Sequence, residues 1–147
     1  MRPPRRTTPG EVLVVDDDRE VRESLAQTLA AHGFEVLLAG SGPQLVAILR
    51  EHRPAVILLD VKLPWLDGLE LCSALKRNPD YRDIPVCFIS GRCDPEDVRA
   101  GFDCGAVAYF VKPLDTEALL RKVAELCGQG DGPPEKPSAA TGDRSAR

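Results

Sequence analysis

AVILLDVKLPWLDG, residues 55–68, runs five apolar residues straight into an aspartate, Asp60, and breaks at Pro64 four residues later. A short unbroken apolar run bounded by turn residues reads as a strand covered on both faces, as in parallel sheets. A carboxylate at the end of such a strand calls for an explanation, because charge beside an apolar interior is costly unless it is partnered. Three other segments that end in the same way supply one.

Upstream, EVLVVD (residues 11–16) is a first strand, after which Val21, Leu25 and Leu29 recur every four residues on one helical face. HGFEVLLAG (32–40) begins near a glycine suited to a helix end and supplies a second strand. SGPQLVAILREH (41–52) offers Ser41 as a helix cap and Leu45, Ile48 and Leu49 as a buried stripe. The quoted run is the third strand. Beyond Asp67-Gly68, Leu71, Ala74 and Leu75 mark a helix and IPVCFIS (84–90) is a fourth strand. Val98 and Phe102 lie on a fourth helix, AVAYFV (106–111) is a fifth strand, and Leu119, Val123 and Leu126 line a last helix. Five strands alternating with five helices imply right-handed crossovers and a doubly wound α/β (βα)5 sandwich, with a parallel sheet between two helical layers.

The chain has 147 residues, enough for one domain that buries roughly two-thirds of its unfolded surface. Residues 1–10 and 128–147 are poor in apolar side chains and rich in Pro, Gly, Ser and charge, so a flexible arm and a flexible tail or linker are expected to flank a folded domain at 11–127. A formal charge of −4 gives no bias toward nucleic acid or anionic membrane, and Arg2, Arg5 and Arg6 read as a solubilising end rather than a nucleic-acid contact. The five cysteines form no C-x-x-C pair and several sit inside apolar runs, where thiols behave as small hydrophobes. With no apolar leader in MRPPRRTTPG and no run approaching about 18 apolar residues, a reducing cytoplasm is the expected location.

In an open parallel sheet, ligands sit beyond the carboxyl ends of the strands. There the first strand ends at Asp16-Asp17, the third at Asp60, the fourth at Ser90-Gly91 and the fifth at Lys112-Pro113. Each motif alone has an ordinary reading, as a helix cap, a turn or the start of a loop. Their joint placement on one rim is what points to a site. Two carboxylates about 5 Å apart repel by roughly 3 kcal/mol at an effective dielectric of about 20, so three together call for a cation. Mg²⁺ suits a site with few protein ligands that keeps waters and holds a phosphate.

Taken in order, VLVVDDD (12–18), LLDVKLPWLDG (58–68), Ser90-Gly91, Tyr109 three residues before a lysine, and Lys112-Pro113 resemble the receiver domain of bacterial two-component response regulators over roughly residues 11–127. The resemblance implies a flavodoxin-like sheet of order 2-1-3-4-5 and a signalling role without enzymatic turnover. It makes Asp60 the phosphoacceptor, taking a phosphoryl group from a sensor histidine kinase or phosphotransfer protein. By the same resemblance Asp17 and Asp60 are expected to bind Mg²⁺ directly and Asp16 through water, with the backbone carbonyl of Lys62 as a further ligand. Lys112 and Ser90 are each expected to engage a phosphoryl oxygen. Ser90 and Tyr109 are the expected switch, altering the surface of helix 4, strand 5 and helix 5, where receivers meet downstream proteins or form phosphorylation-dependent homodimers. Asp18 is read as the cap of the first helix.

Leu63 stands where such domains often carry methionine, a volume-conserving exchange. Lys62 and Arg92, each two residues beyond a site residue, are both basic, and the expectation is that they crowd or divert the water that removes the phosphoryl group. A phosphatase of the haloacid-dehalogenase type would need a second aspartate where Lys62 stands. A phosphorylation-independent binding module is the other alternative, although such domains usually lack a residue of the acidic set or the lysine. No segment after residue 127 reads as a helix-turn-helix or an enzyme, so the domain is expected to act alone or with an output domain outside this sequence.

Overall fold

The computed structural model describes residues 10–128, so the arm and tail expected at the two ends lie, apart from Gly10 and Gly128, outside the described residues. Five strands alternate with five helices: β1 (Glu11–Val15), α1 (Arg19–Ala31), β2 (Glu35–Ala39), α2 (Gly42–Glu51), β3 (Val56–Asp60), α3 (Gly68–Arg77), β4 (Val86–Ser90), α4 (Pro95–Asp103), β5 (Ala108–Val111) and α5 (Thr116–Leu126). The strands are all parallel, in the order β2-β1-β3-β4-β5. This is the flavodoxin-like order implied by the resemblance.

Alternation along the strands divides the core in two. Leu13, Val15, Ile57, Leu59, Val86 and Phe88 point toward Leu45 and Leu49 of α2 and Cys72 and Leu75 of α3. Val12, Val14, Val56, Leu58, Cys87 and Ile89 point toward Leu25 and Leu29 of α1 and Leu119 and Val123 of α5. Every residue of β1, β3 and β4 is buried, which is why β1 and β3 are nearly unbroken runs of Val, Ile and Leu and β4 is apolar up to Ser90. Each fully buried aliphatic side chain contributes about 1.5–3 kcal/mol.

Local chemistry starts the helices. Asp18 caps α1, accepting from the backbone N–H groups of Glu20 (2.9 Å) and Val21 (3.4 Å), and Ser41 caps α2 by accepting from Gln44 N at 3.3 Å. Asp67 and Asp115 cap α3 and α5 in the same way. Such caps are worth about 1 kcal/mol each. Gly33, with φ 91°, takes the left-handed conformation just past α1.

Three details depart from the sequence reading. The PWLDG turn closes a two-residue antiparallel ribbon, Lys62–Leu63 against Leu66–Asp67, too short to leave a period in the sequence. In α3 the buried stripe is Gly68, Cys72 and Leu75, while Ala74 faces solvent, because positions 68, 72 and 75 share one face and 74 does not. In α4, Val98 is half-buried, Phe102 is 46% exposed, and the single buried residue is Gly101, so this helix lies more shallowly on the sheet than its neighbours.

Candidate functional site

The carboxyl edge of β1 and β3 carries the acidic residues. Asp16, one step past β1, is fully buried; Asp17 is exposed; Asp60, the last residue of β3, is 7% exposed. One carboxylate oxygen from each lies within 4.8 Å of the others. Asp16 is held on several sides: its Oδ1 accepts from Asp18 N (2.9 Å), its N–H donates to Ala39 O (3.2 Å), and its carbonyl accepts from Nη1 of Arg22 (2.8 Å). Asp60 Oδ1 accepts from the backbone N–H of Lys62 at 3.2 Å.

Lys112 enters from the far edge of the sheet. Its backbone N–H donates to Ser90 O (2.8 Å), and its peptide bond to Pro113 is cis. The ammonium lies 3.1 Å from Asp16 Oδ2 and 3.7 Å from Asp60 Oδ2. Burial, and then the charge of Asp16, push the Asp60 carboxyl above its ordinary pKa, while Lys112 and the Lys62 N–H pull the other way without cancelling the rise. Burial works against the Lys112 charge, but the hydrogen bond and charge of Asp16, helped by Asp60, raise its pKa and keep it cationic.

The chain after Asp60 is shaped by close packing. A Cβ at Gly68 would meet Asp60 O and would stand 2.8 Å from Val61 Cα, and Gly68 N donates to Val61 O at 2.8 Å. The first turn of α3 therefore rests directly on the backbone that presents Asp60, and only glycine fits there. Pro64 and Gly68 turn the chain away while the Asp60 carboxylate stays at the rim.

Ser90, the last residue of β4, is 1% exposed, and its Oγ accepts from Arg92 N at 3.0 Å. The Tyr109 hydroxyl donates to Arg92 O at 2.9 Å, so the backbone of one loop residue is tied to both expected switch residues. The Tyr109 ring packs beside Phe88, centroids 6.0 Å apart at 49°.

Asp16, Asp17, Asp60 and Lys112 are thus brought together as expected. Ser90 shares the rim but is engaged with Arg92, and Lys62 is exposed and touches Asp60 through its N–H. Sequence reasoning missed Arg22. Its guanidinium lies over Gly40, where a Cβ would collide with it, and that pairing of a helix residue with a glycine past β2 leaves no local pattern.

A family model, the response regulator receiver domain, matches residues 12–124. The chain belongs to the response regulator receiver domain family. Response regulator MprA of Mycobacterium sp. (strain KMS) is 41% identical over 118 residues, covering 80% of this chain and 50% of that protein, and its Mycobacterium leprae (strain TN) counterpart is 40% identical over 115 residues. The chain therefore spans about half the length of these relatives. Among solved receivers, the chemotaxis response regulator CheY4 of Vibrio cholerae superposes with TM-score 0.73 at 31% identity, covering 81% of this chain and 99% of that one. The signal receiver domain of a histidine kinase from Syntrophus aciditrophicus gives TM-score 0.74 at 34% identity, covering 88% and 97%. Receivers of this family work with histidine kinases, and an acidic pocket that takes Mg²⁺ is general among them.

Proposed function

We propose that this receiver accepts a phosphoryl group on Asp60 from the phosphohistidine of a sensor kinase or phosphotransfer protein. One observation carries the reading: the carboxylates of Asp16, Asp17 and Asp60 converge within 4.8 Å, with the Lys112 ammonium 3.1 Å from the first and 3.7 Å from the last. Three hard oxygen donors around an open rim fit a small divalent cation. Asp17 and Asp60 would hold Mg²⁺ directly, Asp16 through water, and the Lys62 carbonyl would complete the protein's share. When bound, the ion supplies positive charge against the phosphoryl oxygens.

The protein's own groups do the rest by position. The end of β3 holds Asp60 rigidly, so one carboxylate oxygen is presented for in-line attack. Lys112, already at hydrogen-bond distance from the site, is placed to take a phosphoryl oxygen, and Ser90, whose Oγ accepts from Arg92 N, keeps its own O–H to donate to another. Phosphoryl transfer asks for positioning and charge stabilisation above all, and this rim offers both. The new acceptor oxygens then bias the β4–α4 loop and Tyr109, altering the α4–β5–α5 surface read by a downstream protein, an attached output domain or a second copy.

A groove of about 440 Å³ lies beside the site, lined by Asp18, Val21, Ser24 and Leu25 of α1 and its cap, and by Lys112 and Leu114 after β5. We assign kinase or phosphotransfer-protein docking to it. No helix among the described residues is long and apolar enough to cross a membrane, and we take the cytoplasm as the working compartment. The role is that of a phosphoacceptor, not a turnover enzyme.

The test is intact mass after incubation with Mg²⁺ and acetyl phosphate, with Asp60→Asn and EDTA controls. A phosphoryl adduct on the wild type alone, abolished by EDTA, is expected. Failure to form an adduct from either acetyl phosphate or a phosphorylated histidine phosphotransfer protein would favour a phosphorylation-independent binding module.

A further inference from the structure

Gly101 is the one buried residue of the nine-residue helix α4. Glycine inside a helix is unfavourable relative to alanine, so a buried one asks what its missing methyl makes room for. A Cβ there would stand 2.9 Å from Cδ2 and 3.1 Å from Cε2 of Tyr109, and 3.1 Å from Cδ2 of Phe88. The Tyr109 ring thus lies in a slot floored by Phe88 and roofed by bare helix backbone. From that seat its hydroxyl reaches Arg92 O at 2.9 Å, while the N–H of the same Arg92 holds Ser90 Oγ at 3.0 Å.

We infer that Gly101 is a positioning residue for the switch, and that its missing Cβ holds Tyr109 in the slot where it fastens the β4–α4 loop. The consequence for signalling rests on the phosphoacceptor reading given above. Sliding α4 outward to admit a methyl at position 101 would draw Asp97, whose carboxylate lies 3.9 Å from Nη1 of Arg92, away from the loop, whereas the Tyr109 ring is a side chain that can rotate. The ring is the part that yields, by rotating out to solvent. Ejecting it frees the Arg92 carbonyl, loosens the peptide that orients Ser90, and lowers the affinity of the site for a phosphoryl group.

The chain has two tyrosines, so 3-fluorotyrosine labelling gives two ¹⁹F resonances, and Tyr109→Phe assigns them. In Gly101→Ala the Tyr109 resonance is expected to move to a solvent-exposed position while that of Tyr81 stays. Melting temperatures of a double-mutant cycle separate the slot from simple helix effects: Gly101→Ala should lower the melting temperature in the wild type and leave it unchanged or raise it in Tyr109→Ala, where Phe88 can shift into the space the ring leaves and alanine is the better helix former. Beryllofluoride with Mg²⁺, a phosphoryl mimic, should bind Gly101→Ala about tenfold more weakly than wild type, with no such difference in the Tyr109→Ala background. An unmoved Tyr109 resonance, or equal effects of Gly101→Ala in both backgrounds, overturns the inference. Should the wild type bind no beryllofluoride, the phosphoacceptor reading falls, and the resonance and the melting cycle still decide whether Gly101 seats Tyr109.

Discussion

The ammonium of Lys112 stands 3.1 Å from Oδ2 of Asp16, a fully buried residue 96 positions earlier in the chain. It is the positive member of a group whose other charges repel one another. Removing it as Lys112→Met leaves Asp16 and Asp60 without that counter-charge, and the melting temperature in EDTA should fall by roughly 5 °C or more. The same change makes the rim more negative, so Mg²⁺ should bind about tenfold more tightly by calorimetric titration. Unchanged or weaker Mg²⁺ binding would show that Lys112 is not electrostatically coupled to the metal position.

Asp60→Asn should act in the opposite sense on stability. Asp60 is buried beside Asp16, and its carboxyl pKa is raised by burial first and by Asp16 second. A raised carboxyl means that the folded state holds the proton more tightly than the unfolded chain, so this group's favourable contribution is lost as pH climbs through the folded value. In EDTA at pH 7, Asp60→Asn should therefore melt higher than wild type, by roughly 2–6 °C, with the gap shrinking toward pH 4. Saturating Mg²⁺ should narrow or reverse the gap, because the ion stabilises only the carboxylate form. A wild type that melts above the variant in EDTA would contradict this.

The acidic set and the lysine were legible because a parallel sheet delivers every strand's carboxyl end to one edge, so Asp16, Asp17, Asp60 and Lys112 could be placed from strand order alone. Asp18 and Ser41 were legible because capping is local chemistry. The exposure of Phe102 was not, since a helical period marks a face without saying whether a neighbour covers it. Arg22 and Gly101 escaped for a related reason: each matters through a residue distant in sequence, Asp16 with Gly40 for the first and Tyr109 with Phe88 for the second.

Gly68→Ala tests how directly α3 supports Asp60. The added Cβ would meet Asp60 O and stand 2.8 Å from Val61 Cα, and neither backbone group can rotate aside as a side chain would. Overpacking of this kind costs about 1–3 kcal/mol. The variant should lose that much by urea titration, and its phosphorylation by acetyl phosphate should slow at least tenfold at a temperature where it is still folded. Normal phosphorylation would mean that the β3–α3 junction relaxes without moving Asp60.

Thiol accessibility offers a check on the core. Cys93 is exposed, Cys104 is half-buried, and Cys72, Cys87 and Cys127 are buried. Burial pushes the thiol of Cys72 up to about 11 and that of Cys87 up to about 12, so neither supplies thiolate near neutrality. Brief iodoacetamide treatment at pH 8 should label Cys93 first and Cys104 more slowly, with the other three reacting only in denaturant. Early labelling of Cys87 would contradict the packing of β4 against α5.

The last prediction concerns how long the phosphoryl group stays. Lys62 and Arg92 were expected to act alike, as two cations screening it from water, but the structure separates them. Lys62 sits in the ribbon directly after Asp60, with its N–H on the Asp60 carboxylate, whereas the guanidinium of Arg92 leans toward Asp97 of α4 at 3.9 Å. Arg92 meets the site through its backbone: its N–H on Ser90 and its carbonyl under Tyr109 persist whatever its side chain. Lys62→Asn should therefore shorten the half-life of the Asp60 adduct several-fold, while Arg92→Ala changes it by less than about twofold, as followed by intact mass after removal of the donor. An unchanged half-life in Lys62→Asn would show that its side chain does not govern water access, and a larger effect in Arg92→Ala would mean that the arginine leaves Asp97 for the phosphoryl group once Asp60 is modified.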